Sequence, residues 1–171
     1  DYGADGCAGY RYDKSATIVE TGQCAEASLK VNVQCFKYDT AYAKGDPAVC
    51  FIPYFANWGW TNPIGPGEYT WDLWAGAAKC DTSKGTLVGS VTVVYDDDGY
   101  VTVEYNLKDG YLLKETHVYA GYDMFQQQRR GRNTVNTVAP GLYENNGPFN
   151  GSEIYVIVHA VVGIPDPNFG P

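Results

Sequence analysis

Apolar and polar residues alternate through much of TLVGSVTVVY (residues 86–95) and again through YVTVEYNL (residues 100–107), and the tetrapeptide DDDG between them has the composition of a tight turn. A period of two marks a strand with one buried face. Nowhere does the chain sustain the i, i+3, i+4, i+7 apolar spacing of an amphipathic helix. Other segments repeat the strand pattern. SLKVNVQCF (residues 28–36) sets Leu29, Val31, Val33 and Cys35 on one face, and EYTWDLWAGA (residues 68–77) does the same with Tyr69, Trp71 and Leu73. YLLKETHVYAG (residues 111–121) is a further strand, and SATIVE (residues 15–20) is the one strand-like run near the start. SEIYVIVHAVV (residues 152–162) is apolar on both faces, which places it centrally between two covered surfaces.

Between these strands lie segments rich in turn residues. YDTAYAKGDPAV (residues 38–49), NWGWTNPIGPG (residues 57–67) and residues 124–137, which hold the basic cluster QQQRRGRN, read as loops. CFIPYF (residues 50–55) is broken by Pro53 and is at most an edge strand. TVAPGLY (residues 137–143) reads as a turn with a short strand. Some eight to ten short strands with Gly/Pro turns predict an all-β fold, an antiparallel β-sandwich or jelly-roll-like single domain stabilised by disulfides. The sandwich is expected over residues 28–171, with residues 1–27 as an N-terminal extension.

The chain has 171 residues, 44% of them hydrophobic, enough to bury its own core. A formal net charge of −8 opposes general binding to nucleic acid and docking on anionic membranes. No run of about 18 apolar residues exists to insert in a bilayer. No leader peptide is visible, so a secreted form is expected to have lost it. Five cysteines (Cys7, Cys24, Cys35, Cys50 and Cys80) without a CxxC spacing point to an oxidising compartment rather than to a zinc ribbon or a redox motif. One of the five is left over after pairing, and the choice of partners stays open.

The two histidines, His117 and His159, both sit inside strand-like runs. They are expected close together on neighbouring strands, as ring-filling, hydrogen-bonded members of the core without a metal. The competing expectation is a metal site of His117, His159 and Glu115, since residues i and i+2 of a strand share a face. The acidic turn at Asp96, Asp97 and Asp98 lacks the spaced ligands of a calcium loop and is explained as a hairpin. Arg129, Arg130 and Arg132 read as a solvated loop tip. The sequon Asn150-Gly151-Ser152 permits N-glycosylation in a compartment that performs it. No GxSxG motif or other nucleophile constellation is present, so neither an enzymatic activity nor a cofactor is expected. Trp58, Trp60 and Trp74 are candidates for stacking on glycans, against the alternative that they belong to the core or pin their loops.

NWGWTN, LWAGAAKCD, KGTLVGSVTV, ETHVYAG, TVAPGLY and YVIVHAVV, in this order, resemble a family of secreted β-domains from extracellular and surface proteins of environmental microbes. The resemblance runs from about residue 38 to residue 163. It implies a secreted or cell-surface location and a β-fold rather than a chemistry. It also implies that Cys50 pairs with Cys80, closing a loop whose cross-link stabilises by roughly 3 kcal/mol. Cys7, Cys24 and Cys35 lie outside it.

Two functions are compatible with these features. One is a structural subunit that assembles with copies of itself into an extracellular filament or layer. In it the strand Ala16, Thr17, Ile18, Val19 and Glu20, with Cys7, pairs with a neighbour's sheet edge. The other is a carbohydrate-binding module whose partners are extracellular glycans.

Overall fold

The computed structural model describes residues 10–31 and 34–166. Its contacts divide the chain into two units, Asp1–Lys37 with Pro165–Pro171, and Tyr38–Ile164.

In the first unit, β1 (Tyr10–Thr17) pairs with β2 (Cys24–Val31) as an antiparallel hairpin, with Tyr12 opposite Leu29 and Ala16 opposite Ala25. The turn is closed by bonds from Ile18 N to Gln23 O (2.7 Å) and from Gly22 N to Ile18 O (2.8 Å). Gly22 adopts a φ of 69°, the left-handed conformation that glycine takes without penalty. This corrects the strand expected over residues 15–20: the strand ends at Thr17, and Ile18, Val19 and Glu20 lie beyond it at the turn. The strand expected over residues 28–36 is likewise divided between the end of β2 and the start of β3 (Phe36–Lys44). Near that start, Asp166 N donates to Cys35 O (2.9 Å), and the buried Asp166 carboxylate pairs with Lys37 Nζ (3.3 Å).

The second unit holds an eight-stranded antiparallel sheet. Its strands are β3, β4 (Val49–Cys50), β5 (Trp60–Ile64), β6 (Gly67–Ala75), β7 (Thr86–Tyr95), β8 (Val101–Leu107), β9 (Leu112–Gly121) and β12 (Ile154–Pro165). The lateral order is β4-β5-β12-β3-β6-β7-β8, with β9 also paired to β12. The fold is all-β and sandwich-like, as the alternation predicts. β7 and β8 form the hairpin around Asp96–Gly99, where Asp96 Oδ1 accepts from Tyr100 N (2.8 Å) and Gly99 has a φ of 89°.

Strand β12 explains the layering. Its even-numbered side chains, Val156, Val158, Ala160 and Val162 among them, pack with Val91, Val93 and Tyr95 of β7 and Val101 of β8. On the opposite face, Ile157 joins a second core of Tyr42, Phe51, Trp60, Tyr119, Phe125 and Val138. From β8, the Tyr105 hydroxyl donates to His159 O at 3.0 Å, tying one layer to the other.

Three segments read as loops carry strands. Residues 38–44 continue β3, whose inward positions are the small Ala41 and Ala43, weak strand signals by themselves. β5 forms despite Pro63, one strand in from the two-residue edge strand β4. The basic segment folds as a hairpin of β10 (Gln126–Arg130) and β11 (Asn133–Thr137), turning at Gly131 with a φ of 61°. Its polar side chains give no apolar period to read.

Cys50 and Cys80 form the disulfide that the resemblance implies, with an S–S distance of 2.05 Å and a sequence separation of 30 residues. The cross-link fastens the end of β4 to a short 3₁₀ turn (Ala78–Cys80) at the rim of the second core.

Asn62 on β5 is buried at the point where β5 gives way to β3 beside β12. Its Oδ1 accepts from Gly45 N (2.7 Å), and its Nδ2 donates to Val156 O (3.1 Å) and to Ala43 O (3.4 Å). Gly45 is required there, because a Cβ would lie 2.9 Å from Trp71 Nε1. Asn62→Ala strands these backbone groups away from water, so it is expected to cost about 2–3 kcal/mol in urea unfolding. A loss below about 0.5 kcal/mol would show that the strand junction does not depend on this side chain.

Candidate functional site

His117 on β9 and His159 on β12 are directly opposite each other, and their Nδ1 atoms are 3.2 Å apart. They lie together on neighbouring strands, as the sequence predicts. With both rings neutral, one Nδ1–H donates to the other Nδ1, so the accepting ring carries its own hydrogen on Nε2. Burial, followed by the electrostatic influence of His117, pushes the His159 pKa down to about 4. Glu115 is exposed, and among the described residues no group of three His, Cys, Asp or Glu side chains is placed to hold a metal ion. The ligand set His117, His159 and Glu115 is therefore not assembled.

The ring of His159 packs against that of Tyr42 on β3 (centroids 4.9 Å apart), and Tyr42 in turn meets Trp58 at 5.3 Å with the planes near perpendicular. Burial raises the Tyr42 hydroxyl pKa to about 12, and the hydroxyl is hydrogen-bonded to Tyr143. Above this aromatic floor opens a cleft of about 490 Å³, lined by Trp58, Tyr42, His159, Asp39, Asn57 and Lys79 among others. Its size falls within the roughly 300–1,000 Å³ of small-molecule sites.

Of the three tryptophans expected to stack on glycans, Trp58 alone lines this cleft. Trp60 is a correction: it is 2% exposed, buried in the second core with its ring 5.7 Å from that of Trp58, and offers no free face. Trp74 is half-buried and packs against the same core from β6, opposite Tyr42. Sequence reading missed Tyr42, Asp39, Asn57 and Lys79. Tyr42 between Ala41 and Ala43 was the available signal, a large residue alternating with small ones. Nothing local marks Asn57 or Lys79, which reach the cleft from separate loops.

The second candidate is the β1–β2 hairpin. Every described side chain from Arg11 to Leu29 is exposed. The register makes the ribbon amphipathic. Tyr12, Ala16, Ala25, Ala27 and Leu29 share one face with Lys14, while Arg11, Asp13, Ser15, Thr17, Glu26 and Ser28 share the other. Tyr12 and Leu29, directly opposed, are 53% and 60% exposed, so the apolar face is uncovered. Of the residues expected to donate a strand, Ala16 and Thr17 are in β1, whereas Ile18, Val19 and Glu20 form the exposed turn region. Cys7 lies outside the described residues. Among the described cysteines Cys35 is disulfide-bonded, and Cys24, at the start of β2, is free and exposed.

No family model, no curated protein and no solved structure matches the chain.

The histidine pair makes stability depend on pH. His159 titrates near 4 in the folded chain and near 6.5 when unfolded, so between these values the unfolded state binds the extra proton. The contribution is present in full above about pH 6.5 and is lost as the pH falls toward 4, on the order of 3 kcal/mol at most. Urea unfolding across that window is expected to show a steeper loss for the native chain than for His159→Asn. Equal slopes would contradict the assignment.

Proposed function

We propose that this protein is a secreted structural subunit that assembles with copies of itself, using the β1–β2 hairpin as its docking arm. The observation that carries the reading is the hairpin's uncovered apolar face, with Tyr12 and Leu29 at its centre. A two-stranded ribbon is at best marginally stable in water by itself, and burying one apolar face against another chain supplies what it lacks. The turn residues Ile18 and Val19, 52% and 94% exposed, extend the same adhesive surface.

A receiving surface is available on the second unit. β8 and β9 follow each other in the chain but form no ladder together, and each has a ladder partner on one side, β7 and β12 respectively. Val103, Tyr105 and Leu107 of β8 and Val118 of β9 are only partly buried at the margin of the first core. At one end, residues 144–146 bridge the two strands: Asn145 Nδ2 donates to Val101 O (2.8 Å), and Ala120 exchanges backbone bonds with Glu144 and Asn146. Beyond that bridge the exposed backbone edges can accept a strand from a neighbour. Head-to-tail docking of this kind propagates unless the geometry closes a ring, which gives a filament. The disulfides suit an oxidising, extracellular setting. In this reading the chain performs no catalysis.

The test replaces Tyr12 and Leu29 together by serine in the full chain and follows assembly by electron microscopy and sedimentation. The native chain is expected to form extended oligomers at high concentration, and the double variant to remain a folded monomer. A native chain that stays monomeric at about 1 mM, or a double variant that assembles equally well, would overturn the proposal.

A further inference from the structure

From the cleft beside the histidine pair we infer a binding site for a neutral pyranose glycan, with Trp58 as its stacking platform. The inference is independent of the docking arm, because it rests on other residues of the second unit.

The cleft pairs an aromatic floor with a polar rim, and the two are held in place separately. Trp58 is half-buried, with Tyr42 at 5.3 Å and Trp60 at 5.7 Å both near-perpendicular to it, so the indole is fixed before any ligand arrives. Asp39 Oδ1 accepts from its neighbour Thr40 N at 2.7 Å. The other carboxylate oxygen lies against Gly76, where a Cβ would come within 2.9 Å of it. Gly76 has a φ of 64° and donates to Thr40 O (3.1 Å), so the backbone there is shaped to let the carboxylate in. On the adjoining wall, Lys79 and Cys80 have φ values of 59° and 61°. Two successive non-glycine residues in the left-handed region are costly, and such strain concentrates at ligand clamps. Here the strained turn sets Lys79 on the cleft wall, while Cys80 is fastened to Cys50.

The chemistry of this lining selects the ligand class. Asp39 and Lys79 offset each other's charge, which disfavours a strongly ionic ligand. A carboxylate, the Asn57 amide and an ammonium provide acceptors and donors around one aromatic ring. His159 adds a polar ring nitrogen, because its Nδ1 is engaged by His117 and Nε2 remains. A pyranose matches both requirements: its C–H face packs on an indole while its ring hydroxyls reach hydrogen-bonding groups at the edge. The cleft is open, and most of its rim residues are exposed, so a chain of sugars can extend out of it.

The experiment titrates the full chain with cellotetraose, maltotetraose, β-1,4-mannotetraose and chitotetraose, reading tryptophan fluorescence and calorimetric heat. At least one of the four is expected to bind saturably, with a Kd between about 10 μM and 1 mM. Trp58→Ala should weaken it about tenfold or more, whereas Trp58→Phe should stay within about threefold. Asp39→Ala and Asn57→Ala change exposed side chains outside both cores, and each should weaken binding about threefold or more even if Trp58→Ala fails to fold. Assembly of these variants should match the native chain, which separates this site from the docking arm. No saturable response to any of the four up to about 10 mM, or binding equal to that of the native chain in Asp39→Ala and Asn57→Ala or in a folded Trp58→Ala, overturns the inference.

Discussion

The second unit is organised by the need to bury both faces of one strand. β12 presents Val156, Val158, Ala160 and Val162 to one side and Ile157 and His159 to the other. Such a strand is stable only between two covered surfaces. The β7–β8 layer covers the first. Covering the second takes irregular segments: β4 and the turns after it, the 3₁₀ turn at Cys80, and Phe125 and Val138 from either side of the polar hairpin. Loops lack a ladder to hold them, and here the Cys50–Cys80 bond and a packed set of aromatic rings supply the restraint.

This arrangement also accounts for the cleft. Loops laid over a sheet face seldom tile it completely, and where residues 52–58 and 78–79 part, Tyr42 and His159 form the floor of the gap. His159 is consequently a member of the second core and part of the cleft lining at once. Burial keeps it neutral at ordinary pH, and His117 satisfies the nitrogen that faces inward. Asn62 plays the comparable polar role at the strand junction, with each of its amide atoms committed to backbone.

Much of the β-architecture was legible because alternation is strong where large side chains on one face pack on the first core. β6, β7 and β8 read correctly for that reason, and the two-sided apolar pattern of β12 marked it as a strand lying between two covered surfaces. The reading failed where side chains were small or polar, or where loops brought distant residues together. Ala41 and Ala43 hid β3, Pro63 hid β5, and Gln and Arg hid the β10–β11 hairpin. In the first unit, the run Ile18-Val19 drew the strand too far forward, since apolar residues at a turn look like strand residues in sequence. The true register, set by a turn at Gly22, reveals the apolar face of Tyr12, Ala16, Ala25, Ala27 and Leu29, which no single segment displays. Within the cleft, Trp58 stood out by residue type, whereas its partners depend on a fold that alternation alone does not specify.

The uncovered hairpin face is the centre of the functional account, and its fate on association is directly measurable. Amide hydrogen exchange of β1 and β2 followed across a dilution series reports whether that face finds a partner. The account predicts slow exchange in these strands at high concentration and fast exchange on dilution, while β12 amides stay protected throughout. Exchange in β1 and β2 that does not change with concentration would contradict it.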